Sequence, residues 1–364
     1  MNIIEPTLVL DAGKCRSNIR LIIKKAEDSG VIFRPHFKTH NSLEIGEWFR
    51  EEGVKKIAVS SVRMAEYFAD GGWDDITIAI TFNLLETDKV NKLIRSGKKI
   101  NLTIDSPETL RTLLKKLKYP ADFFLKIDTG YNRTGMAVEK VDEINTILSM
   151  ASGSRLRFSG FLTHSGHSYR AGSKEEILDI YNDTISKMDF LKERFIEEYP
   201  DLLISVGDTP TVSIAPELTG VDEIRPGNFV FYDLMQYALG SCSEKEIAVV
   251  LAAPVISINE DRKEIVIHAG AVHLSKEFIT NVSGIKNYGR PVLLNSTGWS
   301  NMSNDSMITS VSQEHSVIHA DDKFFNSVSI GDVIGIVPVH SCLAANLAGN
   351  YRTIEGLVIS KNRN

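Results

Sequence analysis

The feature that most restricts the fold of this chain is a regular alternation of short apolar runs with amphipathic stretches between residues 31 and 232. The runs with strand character are Val31–Phe37, Lys56–Ser61, Asp75–Ile80, Ile100–Asp105, Asp122–Asp128, Phe158–His164, Leu202–Val206 and Ile224–Tyr232. Between them, Ser42–Glu51, Val62–Ala69, Glu86–Arg95, Pro107–Leu117, Val138–Met150 and Lys174–Glu198 carry helical periodicity. Ser61 before Val62, and Asp105-Ser106-Pro107, have the chemistry that starts helices. The runs are apolar on both faces, as parallel strands covered by helices must be. Eight β–α alternations predict an α/β fold, a (β/α)8 TIM-like barrel, with a doubly wound open sheet as the alternative.

After about Cys242 the texture changes. Ile247–Ile258, Glu264–Ala269, Val292–Leu294, Ser316–His319, Val333–Val337 and Thr353–Ile359 read as strands joined by turns, which predicts a second, mostly antiparallel β domain. The expected division is a barrel over residues 12–241 and a β domain over 242–364, with the strand-like Thr7–Leu10 in residues 1–11 added to the latter.

Composition narrows the function classes. A net charge of −6 offers no basic face, so nucleic acid is not an expected partner. No apolar run reaches the ~20 residues that cross a bilayer, and the N-terminus lacks the pattern of a signal peptide. Three scattered cysteines do not make a disulfide framework, so a cytoplasmic protein is expected.

Barrel enzymes carry their chemistry at the C-terminal ends of the strands, and polar residues gather there in this sequence. The first strand ends in Arg34-Pro-His-Phe-Lys38-Thr-His40. A lysine in that position can be packed into low-polarity surroundings, which lowers its pKa and frees a nucleophilic amine. The fifth strand runs into Asp128-Thr-Gly130-Tyr-Asn-Arg133-Thr-Gly135, a tight turn able to present a guanidinium to an oxyanion, or simply a structural turn. The sixth ends in His164-Ser-Gly166-His167-Ser-Tyr169, where pocket hydrogen bonders are favoured over a metal pair and Tyr169 lines a ligand. Gly207-Asp-Thr209-Pro-Thr211 and Arg225-Pro-Gly227-Asn228 supply the free amides and hydroxyls of a phosphate site after strands seven and eight. Phosphate on one side of the mouth and a lysine on the other suit a cofactor bearing an aldehyde and a phosphate.

In the β domain, Val337-Pro-Val-His340-Ser-Cys342 places His and Cys two apart at the end of a strand, so both side chains are expected on one face. Imidazole plus thiolate suits zinc, but only two ligands are evident, and a buried cysteine beside a hydrogen-bonded histidine is the favoured reading from these residues alone.

Together these segments resemble the fold-type III pyridoxal-phosphate (PLP) enzymes, the alanine racemase superfamily, and within it the D-serine dehydratase / D-threonine aldolase branch. The resemblance runs from Pro6 to about Ile359. It implies that Lys38 bonds the cofactor, that Arg133 approaches its phenolic oxygen, and that Tyr169 lies beside it. Gly207, Thr209, Gly227 and Asn228 would surround the phosphate, and His340 and Cys342 would hold a divalent metal. The role of Arg225 is left open. In this family His-x-Cys goes with zinc-dependent dehydratases and His-x-Asp with aldolases, so Cys342 favours dehydration of a 3-hydroxy-D-amino acid such as D-serine. Lys38 would remove the α-proton and Zn2+ would activate the β-hydroxyl, giving a 2-oxo acid and ammonia. A D-threonine aldolase, an amino-acid racemase and a non-enzymatic PLP-binding protein are the alternatives, and a homodimer is expected from the relatives. Gln313-Glu314-His315 is left open as a second contributor to the pocket, while Cys15, Cys242, His268, His273, His319, Trp73 and Trp299 are read as structural.

Overall fold

The computed structural model describes residues 3–280, 284–303 and 305–362. The chain divides into two compact units, one of Leu21–Lys38 and Gly46–Gly227, the other of Met1–Arg20, Thr39–Ile45 and Asn228–Asn364.

The first unit is the barrel. Its strands are β2 (Ile32–Phe33), β3 (Lys56–Val59), β4 (Asp75–Thr81), β5 (Lys99–Ile104), β6 (Ala121–Asp128), β7 (Leu156–Thr163), β8 (Leu203–Val206) and β9 (Glu223–Ile224), following a strand β1 that belongs to the other unit. All eight pair in parallel, in the spatial order β2-β9-β8-β7-β6-β5-β4-β3. A parallel bridge between His36 and Ala58 brings the extension of β2 to β3 and closes the ring. β6 is buried from Ala121 through Ile127, the signature of a strand covered on both faces. Gly160 permits the tight approach of β7 to β8, because a Cβ there would lie 2.0 Å from the Leu203 carbonyl oxygen. The crossover helices begin where caps exist: the Ser61, Ser106 and Ser173 hydroxyls accept from the backbone of Met64, Thr109 and Glu176.

The barrel interior holds a buried polar chain. The Arg34 guanidinium donates to Glu223 and to Asp75, each at 2.6 Å, and Ser205 donates to the other Glu223 oxygen at 2.6 Å. Arg225 donates to Ser205 and, at 2.6 Å, to the Thr163 carbonyl. Burial disfavours the Arg34 charge, but Glu223 and Asp75 outweigh it and raise its pKa.

The second unit is built on a ten-stranded sheet. β1 (Thr7–Leu10) lies inside it, antiparallel to β10 (Val249–Asn259) and parallel to β16 (Tyr351–Thr353). The remaining strands are β11 (Glu264–Ile267), β12 (Gly289–Asn295), β13 (Met307–Val311), β14 (Ser316–His319), β15 (Val333–Pro338), β17 (Val358–Ile359) and the two-residue strand Gly298–Trp299, antiparallel to β12. β12, β15 and β10 form antiparallel neighbours, and β11, β14 and β13 branch from β10 past a bulge at Val255/Ser257.

Three expectations need correction. Ile224–Tyr232 is not one strand: pairing stops at Ile224, Pro226 has no N–H to donate, and the Asn228 carbonyl accepts from Phe231 and Tyr232 in a tight turn. Val31–Phe37 likewise shortens to Ile32–Phe33 and the His36 bridge, because Pro35 interrupts the ladder. Thr353–Ile359 splits into a hairpin, turned at Gly356 with φ +92°. The strand Met307–Val311 has no counterpart among the sequence expectations. Among the described residues, no helix is long and apolar enough to cross a membrane.

Candidate active site

Lys38 follows the bridge that closes the barrel. Its predecessor Phe37 is fixed in an aromatic cluster, with ring centroids 5.0 Å from each of Phe49, Phe68 and Trp73, and Gly46 leaves room for it. The backbone that presents Lys38 is therefore held by packing and by hydrogen bonds from the Phe37 N–H to the Ala58 carbonyl at 2.9 Å and from the Lys38 N–H to His36 Nδ1 at 3.3 Å. Lys38 itself is exposed, contrary to the expectation of low-polarity surroundings. The buried lysine of the barrel mouth is Lys126 on β6, 4% exposed, which the sequence reading passed over. Its Nζ donates to the Thr134 hydroxyl at 2.6 Å, and burial, with the Arg133 charge added, lowers its pKa to about 8.

Arg133 leaves the turn after β6 with its guanidinium 4.9 Å above the Tyr131 ring. Tyr131 rests on Gly166, where any Cβ would stand 2.6 Å from the ring, and meets the His164 ring edge-on at 5.7 Å. His164 donates through Nδ1 to the Gly207 carbonyl, which fixes its tautomer. Burial pushes its pKa well below 6.5, and the charges of Lys38, Arg133 and Arg225 push the same way. Lys38, Arg133, Gly207 and Arg225 thus converge electrostatically or by contact on one neutral imidazole. Burial lowers the Arg225 pKa to about 10.

Gly207 leads into a short helix that Thr209 begins, α8 (Thr209–Ile214), counted after the helices Ala12–Asp28, Leu43–Glu51, Val62–Asp70, Thr87–Arg95, Pro107–Lys116, Val141–Ala151 and Lys174–Phe195. Asp208 caps it by accepting from the Thr211 backbone at 2.8 Å, and accepts from the Ser168 hydroxyl at 3.0 Å. That second bond ties the turn bearing Tyr169 to the start of α8. Burial raises the Asp208 carboxyl to about 6. The Thr209 hydroxyl is buried and has no hydrogen-bond partner among the described residues. Gly227 is buried at the end of the unit.

A phosphate-bearing aldehyde fits this half. Four basic groups raise the local potential, the unpartnered Thr209 hydroxyl needs an acceptor or donor, and Lys38 provides an exposed amine.

In the other unit, Asn228, His340 and Cys342 come together. The expectation that His340 and Cys342 share a strand face fails: β15 ends at Pro338, His340 caps a helix, and Cys342 sits in the first turn of that helix, α10 (Ser341–Leu347), which follows α9 (Leu234–Ala238) in this numbering. The helix starts there because the Asp233 carboxylate accepts from the Ser341 backbone at 2.8 Å. The side chains of His340 and Cys342 nevertheless hydrogen-bond. Cys342 Sγ also lies 3.2 Å from the Thr39 hydroxyl and 3.5 Å from the Asn228 amide nitrogen. Asn228 donates at 2.6 Å to Asp233, which also accepts from the Ser341 backbone between His340 and Cys342, and the Asn228 Oδ1 is buried without a partner among the described residues.

Glu277, which no spacing in the sequence flagged, accepts from His340 Nδ1 at 2.8 Å. Burial opposes the His340 charge, but Cys342, Glu277 and Asp233 outweigh it and raise the ring to about 11. An imidazole and a thiol suit a borderline metal such as zinc. Among the described residues, no three His, Cys, Asp or Glu side chains are grouped to hold an ion, so two protein donors would leave positions for water or substrate. Gln313-Glu314-His315 lies at the turn between β13 and β14, with the His315 ring 6.4 Å from His268. Burial raises the thiol pKa of both Cys15 and Cys242, as inert cysteines require.

The sequence matches the alanine racemase N-terminal domain over residues 10–234 and a putative serine dehydratase domain over residues 248–354. It is 31% identical to D-serine dehydratase of Dictyostelium discoideum, covering 96% of this chain and 92% of that protein. It is 26% identical to D-threo-3-hydroxyaspartate dehydratase of Delftia sp. (strain HT23), over 93% and 90% of the two chains. A mutant D-threo-3-hydroxyaspartate dehydratase solved in the metal-free form superposes with a TM-score of 0.91 at 24% identity, over 100% of this chain and 98% of that one. The chain belongs to the fold-type III pyridoxal-phosphate enzymes of the alanine racemase superfamily, in the family that contains D-serine dehydratase.

Proposed function

We propose that this protein is a PLP- and zinc-dependent dehydratase of D-serine or a close 3-hydroxy-D-amino acid, releasing a 2-oxo acid and ammonia. The observation that carries the reading is that one chain holds both a cationic barrel mouth around Lys38 and, within the β unit, a His340–Cys342 donor pair. The full-length similarity to two proteins named as dehydratases supports the same class.

When bound, PLP supplies an electron sink for a substrate α-carbanion and a divalent metal supplies a Lewis acid. The residues of this chain do the rest. Lys38 would hold the cofactor through its aldehyde, and its amine would take the proton from the substrate Cα. Arg133 and the neutral His164 set the electrostatics of the mouth. Gly207, Thr209 and Gly227 would hold the phosphate with amides and a hydroxyl, Asn228, next in sequence to Gly227, would join them, and Tyr169 would line the cofactor. His340 and Cys342 would hold the metal, whose Lewis acidity would serve the departure of the β-hydroxyl. A thiolate selects zinc over harder ions, which favours loss of hydroxide over carbon–carbon cleavage. Three cysteines with no disulfide among the described residues suit a reducing compartment such as the cytoplasm, and a homodimer is the assembly proposed.

The test is to incubate the PLP-loaded protein with D-serine, D-threonine, 3-hydroxy-D-aspartate and L-serine, with and without a chelator, and identify products. Keto acid plus ammonia, from D substrates only and lost on chelation, is expected. Glycine plus an aldehyde would assign an aldolase, and chelator-resistant racemization a racemase.

A further inference from the structure

Glu277 lies 63 residues before His340 and carries no motif, yet its carboxylate accepts from His340 Nδ1 at 2.8 Å. The carboxylate is presented by a fixed frame. A single helical turn, Ala271–Leu274, packs against α10. It starts at Gly270, where a Cβ would stand 2.3 Å from the Gln313 carbonyl oxygen, so the backbones are in close contact there. Ser275 then takes φ +72° and its hydroxyl accepts from the Glu277 backbone at 3.2 Å, which turns the chain back toward His340.

We infer that Glu277 is a positioning residue for the metal: by holding Nδ1 of His340 it sets the ring orientation and leaves Nε2, on the Cys342 side, as the donor atom. This rests on the reading that His340 and Cys342 hold a divalent ion. A histidine ring with one nitrogen tied to a carboxylate is a stiffer and more basic ligand than a free one, and loss of such a partner costs about 10–100-fold in metal affinity. The Glu277 side chain is 41% exposed, so as a mere ion pair it adds little to folding. The two roles therefore separate in measurement.

The experiment compares the full chain, loaded with PLP, with Glu277→Ala and Glu277→Gln. Zinc affinity is read by competition with a chelator, PLP by its absorbance, and folding by thermal unfolding of the zinc-free proteins. The expected result is zinc bound about 10–100-fold more weakly by Glu277→Ala. Glu277→Gln, which keeps an acceptor for Nδ1–H, recovers part of the loss. PLP absorbance and the zinc-free unfolding temperature stay as in the parent. Equal zinc affinity in the parent and Glu277→Ala overturns the inference, and so does a parallel loss of folding and PLP in both variants. A parent protein that takes up no zinc removes the metal reading itself, a different failure from the first two.

Discussion

The barrel mouth and the His340–Cys342 motif are organised in opposite ways. At the mouth, Lys38 and Arg133 are exposed, and the buried Thr209 hydroxyl has no partner among the described residues. At the motif, His340 is bonded to Glu277 and Cys342, and Cys342 contacts Thr39 and Asn228. The mouth has charge and free polar groups to offer a large anionic ligand, whereas the motif has its donors oriented by the protein beforehand. Organic cofactors bring many contacts of their own; an ion brings only charge, so its ligands must be placed by the fold.

The strongest way to break this contrast is to remove one member from each side. Lys38→Ala is expected to lower dehydratase turnover by more than ~10³-fold and to abolish the absorbance of the lysine-bonded cofactor, while zinc content stays unchanged. Cys342→Ser is expected to lose zinc and turnover together but to keep the cofactor absorbance. Spectra and metal analysis on the two purified proteins decide it. If either change removes both ligands, the two sets of residues do not work as separate binding devices.

A second test concerns Asp208, which links the mouth's helix to the turn bearing Tyr169. Its folded pKa of about 6 stands above the ordinary carboxyl value of about 3.9, so the native state binds the proton more tightly than the unfolded chain. The resulting stability is fully present below about pH 3.9 and is lost as pH rises through about 6. Relative to Asp208→Asn, the PLP-free parent is expected to gain about 2 kcal/mol between pH 7 and pH 4. Urea unfolding at the two pH values measures it. Parallel midpoints for parent and variant would mean that Asp208 ionises freely, and that the mouth is looser than the structure shows.

The same contrast explains what could be read from the sequence. The barrel was legible because parallel strands buried on both faces leave unbroken apolar runs, as Ala121–Ile127 does, and because serine caps mark helix starts locally. Lys38, Gly207 and Thr209 stand at strand ends, where a barrel must place its chemistry. The motif in the β unit was legible as residue types but not as geometry. Period-two reasoning failed at Pro338, because the signal that starts α10 is Asp233, 108 residues away. Glu277 is hidden for the same reason: its partner is distant in sequence. Lys126 was passed over because a lysine in an apolar strand reveals its burial only once Thr134 has folded back over its amine.

The smallest effect is the sharpest probe of the mouth. In Thr209→Val a methyl replaces the hydroxyl at nearly constant volume. A buried hydroxyl without a partner costs the folded protein free energy, so its removal is expected to stabilise the PLP-free chain by up to ~1 kcal/mol. If that hydroxyl serves the cofactor phosphate, PLP affinity falls at the same time by about tenfold, or ~1.4 kcal/mol. Stability and affinity then move in opposite directions, which a purely structural threonine cannot produce. Thermal unfolding without PLP and a PLP titration, done on the same preparation, give both signs. Loss of stability with unchanged affinity would place Thr209 in the packing of α8 and take the phosphate away from it.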